Sequence, residues 1–106
     1  DDLELSKKGI DDLKKMAEES LKSVRNCIIA LSDNDIDFAE KVIKEEERVD
    51  NLEKQIRGEH MQRLTSGECN PRVGVIFLDA LTNLERVSDH ALNVAQGVIG
   101  ANTTKN

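Results

Sequence analysis

Two pairs of acidic residues share one spacing: Glu46 with Asp50, and Glu85 with Asp89, each reading Glu-x-x-x-Asp. On a helix this places two carboxylates one turn apart on a single face, and two such helices side by side bring four oxygen ligands together. A donor set made only of carboxylates suits a hard or borderline divalent cation, with water in the remaining positions. Spacing alone means little in a chain with 21 Asp and Glu among 106 residues. What singles these pairs out is that both interrupt an apolar helical face, where an isolated carboxylate is costly unless it is paired, protonated or metal-bound.

Turned at about 100° per residue, the segment from Ile36 to Leu64 carries Val42, Val49 and Ile56 on one flank of its apolar face and Ile36, Ile43 and Met61 on the other. The centre of that face holds Ala39 and Leu64 at its ends, with Glu46, Asp50, Glu53, Arg57 and His60 between them. Further along, Leu78, Leu81, Leu92 and Ile99 define an inner face on which Glu85 falls, with Asp89 beside it. The competing reading is a buried ion-pair network in which Arg57, Arg86 or a lysine of the first helix neutralises the acids and nothing is bound. His60 shares the stripe with Glu53 and is an additional candidate ligand, although a histidine near a helix C-terminus also serves as a cap or dipole partner. His90 projects away from the Glu85 line and reads as a solvated or interfacial residue. The Glu-x-x-His spacing of oxygen-activating di-metal bundles is absent. Beyond the carboxylates no nucleophile or general base can be named, so the chain does not read as an enzyme.

These residues must be positioned by helices. Leu3, Ile10, Ala17, Val24 and Leu31 recur every seven residues, with Leu13, Leu21 and Ile28 in the intermediate turns, the stripe of a bundle helix. Ser32-Asp33-Asn34-Asp35 ends it and caps the next. Thr65-Ser66-Gly67 stops the second helix, and Asn70-Pro71 reads as an N-cap followed by proline at the first helical position. A third helix follows to about Ile99, and residues 102–106 read as a frayed polar tail. Three helices of about 27 to 30 residues joined by short connections predict an all-α fold, an antiparallel three-helix bundle. In the third helix Ile76, Val87 and Val94 form a second apolar line opposite Leu78 and Leu92, a candidate partner interface, with a homodimer contact or docking onto another domain as the expected use.

The chain has 15 Lys and Arg, a net charge of -6 and neither Trp nor Tyr. That excludes stacking-based nucleic-acid binding, which needs a positive field and aromatic platforms. Cys27 and Cys69 lie far apart without metal-ligand spacing and read as free thiols of a reducing compartment. No apolar run approaches the roughly 18 to 20 residues of a membrane span. A chain of this length is one domain, 1–106.

The stretch Glu46-Glu47-Arg48-Val49-Asp50-Asn51-Leu52-Glu53, followed by Asn83-Leu84-Glu85-Arg86-Val87-Ser88-Asp89-His90-Ala91-Leu92-Asn93-Val94-Ala95, resembles the paired acidic motifs of PhoU domains. The segment Arg63-Leu64-Thr65-Ser66-Gly67-Glu68-Cys69, leading into Val75-Ile76-Phe77-Leu78-Asp79, is most similar to the PhoU-like domain at the cytoplasmic end of bacterial sodium-dependent phosphate cotransporters. The resemblance implies a three-helix bundle that regulates phosphate uptake rather than catalysing a reaction. It also implies multinuclear metal sites, iron and sometimes nickel or zinc, on Glu46, Asp50, Glu85 and Asp89, flanked by Glu53 and Asn93; manganese is a further candidate from the carboxylate donor set. Stand-alone members of the family contain two such bundles, so a second copy of this chain is expected to complete the pair. The same resemblance implies a domain excised from the C-terminal end of a longer transporter. Its partner would be the membrane transporter domain of the same chain, which would tether it on the cytoplasmic side of the inner membrane.

Overall fold

The computed structural model describes residues 6–103, which form three helices: α1 (Lys7–Asp33), α2 (Ile36–Thr65) and α3 (Pro71–Thr103). Each end is fixed by local chemistry. Ser6 Oγ accepts the Gly9 N–H at 3.0 Å to open α1. Asn34 closes it in the left-handed region at φ 53°, a conformation that a short amide side chain tolerates. Asp35 then caps α2, its Oδ1 accepting the N–H groups of Asp37 and Phe38 at 2.9 and 3.2 Å. Gly67, at φ 80°, makes the turn after α2, and Asn70 Oδ1 accepts the Arg72 N–H at 2.8 Å ahead of the Pro71 start of α3. The expected boundaries hold to within a few residues. The tail expected from Asn102 is instead helical to Thr103, and residues 104–106 lie outside the described part.

The helices pack all against all in an up-down-up bundle measuring 58 × 20 × 16 Å. Side-chain ties set the register. Ser20 Oγ donates to the Leu84 carbonyl at 3.0 Å, Asn26 Nδ2 donates to both carboxylate oxygens of Glu45 at 2.9 and 2.8 Å, and Asn34 and Asn102 exchange amide hydrogen bonds at 2.9 and 2.7 Å. Consecutive helices therefore run antiparallel, and α1 runs parallel to α3.

The core has two apolar clusters. One gathers Met16, Val49, Ile56, Phe77 and Leu81; the other gathers Cys27, Ala30, Ala39, Val42, Ala91, Ala95 and Val98. Between them in the chain register of α1 and α3 lie Ser20, Ser23 and Ser88, all fully buried, and on α2 Glu45 takes that place. Ser23 and Ser88 find no hydrogen-bond partner for their hydroxyls among the described residues.

The seven-residue stripe expected on α1 is not its buried face. The buried line is Gly9, Asp12, Met16, Ser20, Ser23, Cys27 and Ala30. Of the expected series Ile10 and Leu31 are exposed, Ala17 and Val24 are half-buried, and Leu3 lies outside the described residues. Leu21, Ile28 and Leu31 stand 54, 57 and 63% exposed on the outer side. Small residues bring α1 against α3, Gly9 under the Phe77 ring and Ser20 on the Leu84 carbonyl, and Met16 is the one large apolar side chain on the buried line of α1. On α3, Ile76, Val87 and Val94 are exposed as the second apolar line requires. Among the described residues no helix is long and apolar enough to cross a membrane.

Candidate metal centre

On α2 the driest line is Ala39, Val42, Glu45, Val49, Glu53, Ile56 and His60. The expected face is thus rotated toward the valine flank, and Glu46, Asp50 and Arg57 lie half-buried on the edge that meets α3. The rotation follows from packing: Val42, Val49 and Ile56 contribute more by burial than carboxylates do and take the centre. On α3 the corresponding edge carries Glu85 and Asp89, also half-buried.

Across this seam Glu46, Glu85 and Asp89 converge, each offering a carboxylate oxygen within 4.8 Å of the others. The cost of the convergence shows in the acidities of Glu46 and Glu85. Burial, then the charge of Asp89 and a hydrogen bond toward it, then Asp50 and Glu85, push the Glu46 carboxyl from 4.5 to about 7. Glu85 is raised by burial first and by the charges of Asp89, Glu53 and Asp50, against a partial opposing effect of Arg57. Glu46 Oε1 is buried without a hydrogen-bond partner among the described residues.

The nearby cations are engaged elsewhere. Arg57 binds Glu53 on its own helix and donates to Thr82 Oγ1 at 3.0 Å, and Lys54 pairs with Asp50 at 3.2 Å. Arg86 is exposed and makes no ion pair among the described residues. An ion-pair network therefore exists beside the three acids without neutralising them.

Three of the four motif carboxylates converge. Asp50 sits at the margin, turned to Lys54, and acts on Glu46 and Glu85 through its charge. Glu53 is buried in its Arg57 pair, Asn93 is exposed, and His90 is exposed as expected. His60 is 14 residues from Glu46, about 21 Å along α2. It stacks on Phe77 with ring centroids 4.2 Å apart, so it belongs to another site. Sequence reasoning missed Glu45, which is buried and held by Asn26, and the serine layer; neither carries an apolar-periodicity signal. An oxygen-only donor set with like charges at close range and one orphaned oxygen fits a divalent cation, with water or Asp50 completing the shell.

The PhoU domain family matches residues 13–98. The phosphate-specific transport system accessory protein PhoU homolog 1 of Thermotoga maritima is 32% identical over 97 residues, covering 92% of this chain and 42% of that protein. The PhoU homolog of Clostridium acetobutylicum is 28% identical over 100 residues, and that of Xylella fastidiosa 29% over 87, covering 45% and 37% of those proteins. The chain thus spans less than half the length of these relatives. No solved structure matches it. These relatives overturn one expectation: all three are named as accessory proteins of a transport system and none as a cotransporter, so a membrane transporter domain of the same chain is not the partner they indicate. With both acidic motifs inside the matched span and 32% identity to the Thermotoga maritima protein, the chain belongs to the PhoU domain family.

Proposed function

We propose that this chain is a regulatory, non-enzymatic unit of phosphate homeostasis whose Glu46, Glu85 and Asp89 hold a divalent or transition-metal ion between α2 and α3. The observation that carries the reading is the convergence of three half-buried carboxylates that pair with no cation among the described residues. The names of the relatives supply the process, accessory function in phosphate-specific transport, and the two free thiols fit a reducing, cytoplasmic setting. A bound cation would neutralise the acids and join two helices that otherwise repel at this level. Because it would bind only where the helices are correctly spaced, it would stabilise that spacing by mass action. Regulation would then read as a change in how firmly α2 and α3 are held together.

The test is thermal melting of chelator-treated protein with manganese, iron, zinc or nickel added singly, beside elemental analysis of the recovered protein. A rise in melting temperature that disappears in the double variant Glu46→Gln, Asp89→Asn supports the reading. No rise with any of these ions leaves a helical scaffold that binds no metal.

A further inference from the structure

A second constellation lies at the far end of the bundle, where α2 turns into α3. A recess of about 200 Å³ opens there, lined by His60, Arg63, Glu68, Asn70, Val73 and Phe77 among others. That is several times the roughly 30 Å³ share of one water. His60 is 1% exposed, and neither ring nitrogen has a hydrogen-bond partner among the described residues. Gly74 permits the tight approach that buries it, since a Cβ there would stand 2.7 Å from Leu64 Cδ2 and 3.3 Å from His60 Nε2. Burial and the charge of Arg63, against a smaller opposing effect of the Gly74 backbone, hold the imidazole below its ordinary value, which keeps it neutral near pH 7.

Two features give the recess a preference for negative charge. Arg63 is half-buried on its wall and makes no ion pair among the described residues. The start of the 33-residue α3 contributes its positive end, and while Arg72 N–H is taken by Asn70 Oδ1 and Gly74 N–H by the Asn70 carbonyl, Val73 N–H has no acceptor among the described residues. Two further features ask the ligand for a donor. A neutral imidazole, whose two nitrogens point in divergent directions, turns one of them to a ligand, and its unprotonated nitrogen accepts; the exposed Glu68 carboxylate on the rim accepts only. An oxyanion that keeps an O–H accepts from Arg63 and the start of α3 and still donates to an imidazole nitrogen or to Glu68; a fully deprotonated one has no proton to donate.

We propose that this recess binds a protonated tetrahedral oxyanion, inorganic phosphate, between His60, Arg63 and the first turn of α3. The site is independent of the acidic trio and needs no metal. Its test is a phosphate titration of the chelator-treated chain at constant ionic strength, followed by the imidazole NMR signals. The chain has two histidines, and exposed His90 serves as the internal reference. Phosphate is expected to shift the His60 signals saturably and leave His90 in place. Sulfate, which lacks the O–H, is expected to bind roughly tenfold more weakly, and Arg63→Gln to weaken phosphate by roughly tenfold, the scale of one charge-assisted hydrogen bond. Arg63→Gln changes a half-exposed wall rather than the core, so its melting temperature checks that the fold is intact. A His60 signal unmoved by phosphate, equal response to sulfate, or unchanged binding in Arg63→Gln overturns the proposal. Because chelator is present throughout, none of these results bears on metal at Glu46.

Discussion

Replacing Glu46 with glutamine should stabilise the metal-free protein at neutral and mildly alkaline pH. The folded chain holds a proton on Glu46 up to about pH 7, whereas an unfolded glutamate releases it near 4.5. A value raised on folding contributes stability that is complete below 4.5 and lost as pH rises through 7. At about 1.4 kcal/mol per pH unit the ceiling is about 3 kcal/mol. Solvent reaches a half-buried side chain and screens part of this, leaving about 1 to 2 kcal/mol. Glutamine keeps the shape and a donor toward Asp89 but never ionises, so it escapes the loss. At 4 to 8 °C per kcal/mol for a domain of this size, Glu46→Gln should melt about 5 to 15 °C above the parent at pH 8 in chelator, and close to it at pH 5. The assay is circular-dichroism melting of both proteins across that range. The difference between them, rather than either curve alone, isolates Glu46, because Glu85 and His60 titrate in both. Parallel curves from pH 5 to 8, or a variant less stable at pH 8, would refute the idea that Glu46 is destabilised by its neighbours. Saturating divalent ion should reverse the order, stabilising the parent alone.

His60 should work in the opposite direction. Its folded value is lowered, so its share of stability is present above the ordinary value of 6.5 and is lost as pH falls through the folded one; a His60→Phe variant should lack that acid loss in melts between pH 7 and 5. Truncation by His60→Ala removes the Phe77 stack and leaves a void, at a cost of about 2 to 4 kcal/mol in urea unfolding. At the turn between α1 and α2, Asn34→Ala forces a β-carbon without a local hydrogen bond into the left-handed region and deletes the Asn102 pair, costing about 1 to 2 kcal/mol. Asn34→Gly, which keeps the backbone conformation, should recover part of that loss in the same assay.

The helices and their ends were legible because each boundary carries its own chemistry: Asp35 as a cap, Gly67 in the left-handed region, Asn70 ahead of Pro71. The phase of α1 was not. Its interior line of Gly9, Ser20, Ser23 and Ala30 is small and partly polar, and hydropathy favours the bulky residues that this chain leaves outside. On α2 the deviation was smaller, a rotation that put Val42, Val49 and Ile56 at the centre and moved Glu46 to the edge. The acidic pairs were visible as breaks in an apolar pattern, and three of the four residues do meet. That Asp50 would turn to Lys54 and Glu53 to Arg57 was beyond pattern reading. An i,i+4 partner is available to most acids in a sequence this rich in charge, and only the packed geometry selects which ones use it.

The serine layer gives the bundle a waist. Oil on either side cements the two ends separately, and the asparagine clasp at one of them adds a second fastening. At the midpoint little apolar area is buried, so parting the rods by a fraction of an ångström there forfeits less than it would elsewhere. The three acids sit along α2 and α3 at that same height, so charge gained or lost among them acts where hydrogen bonds of Ser20 and Asn26, rather than oil, hold the rods together.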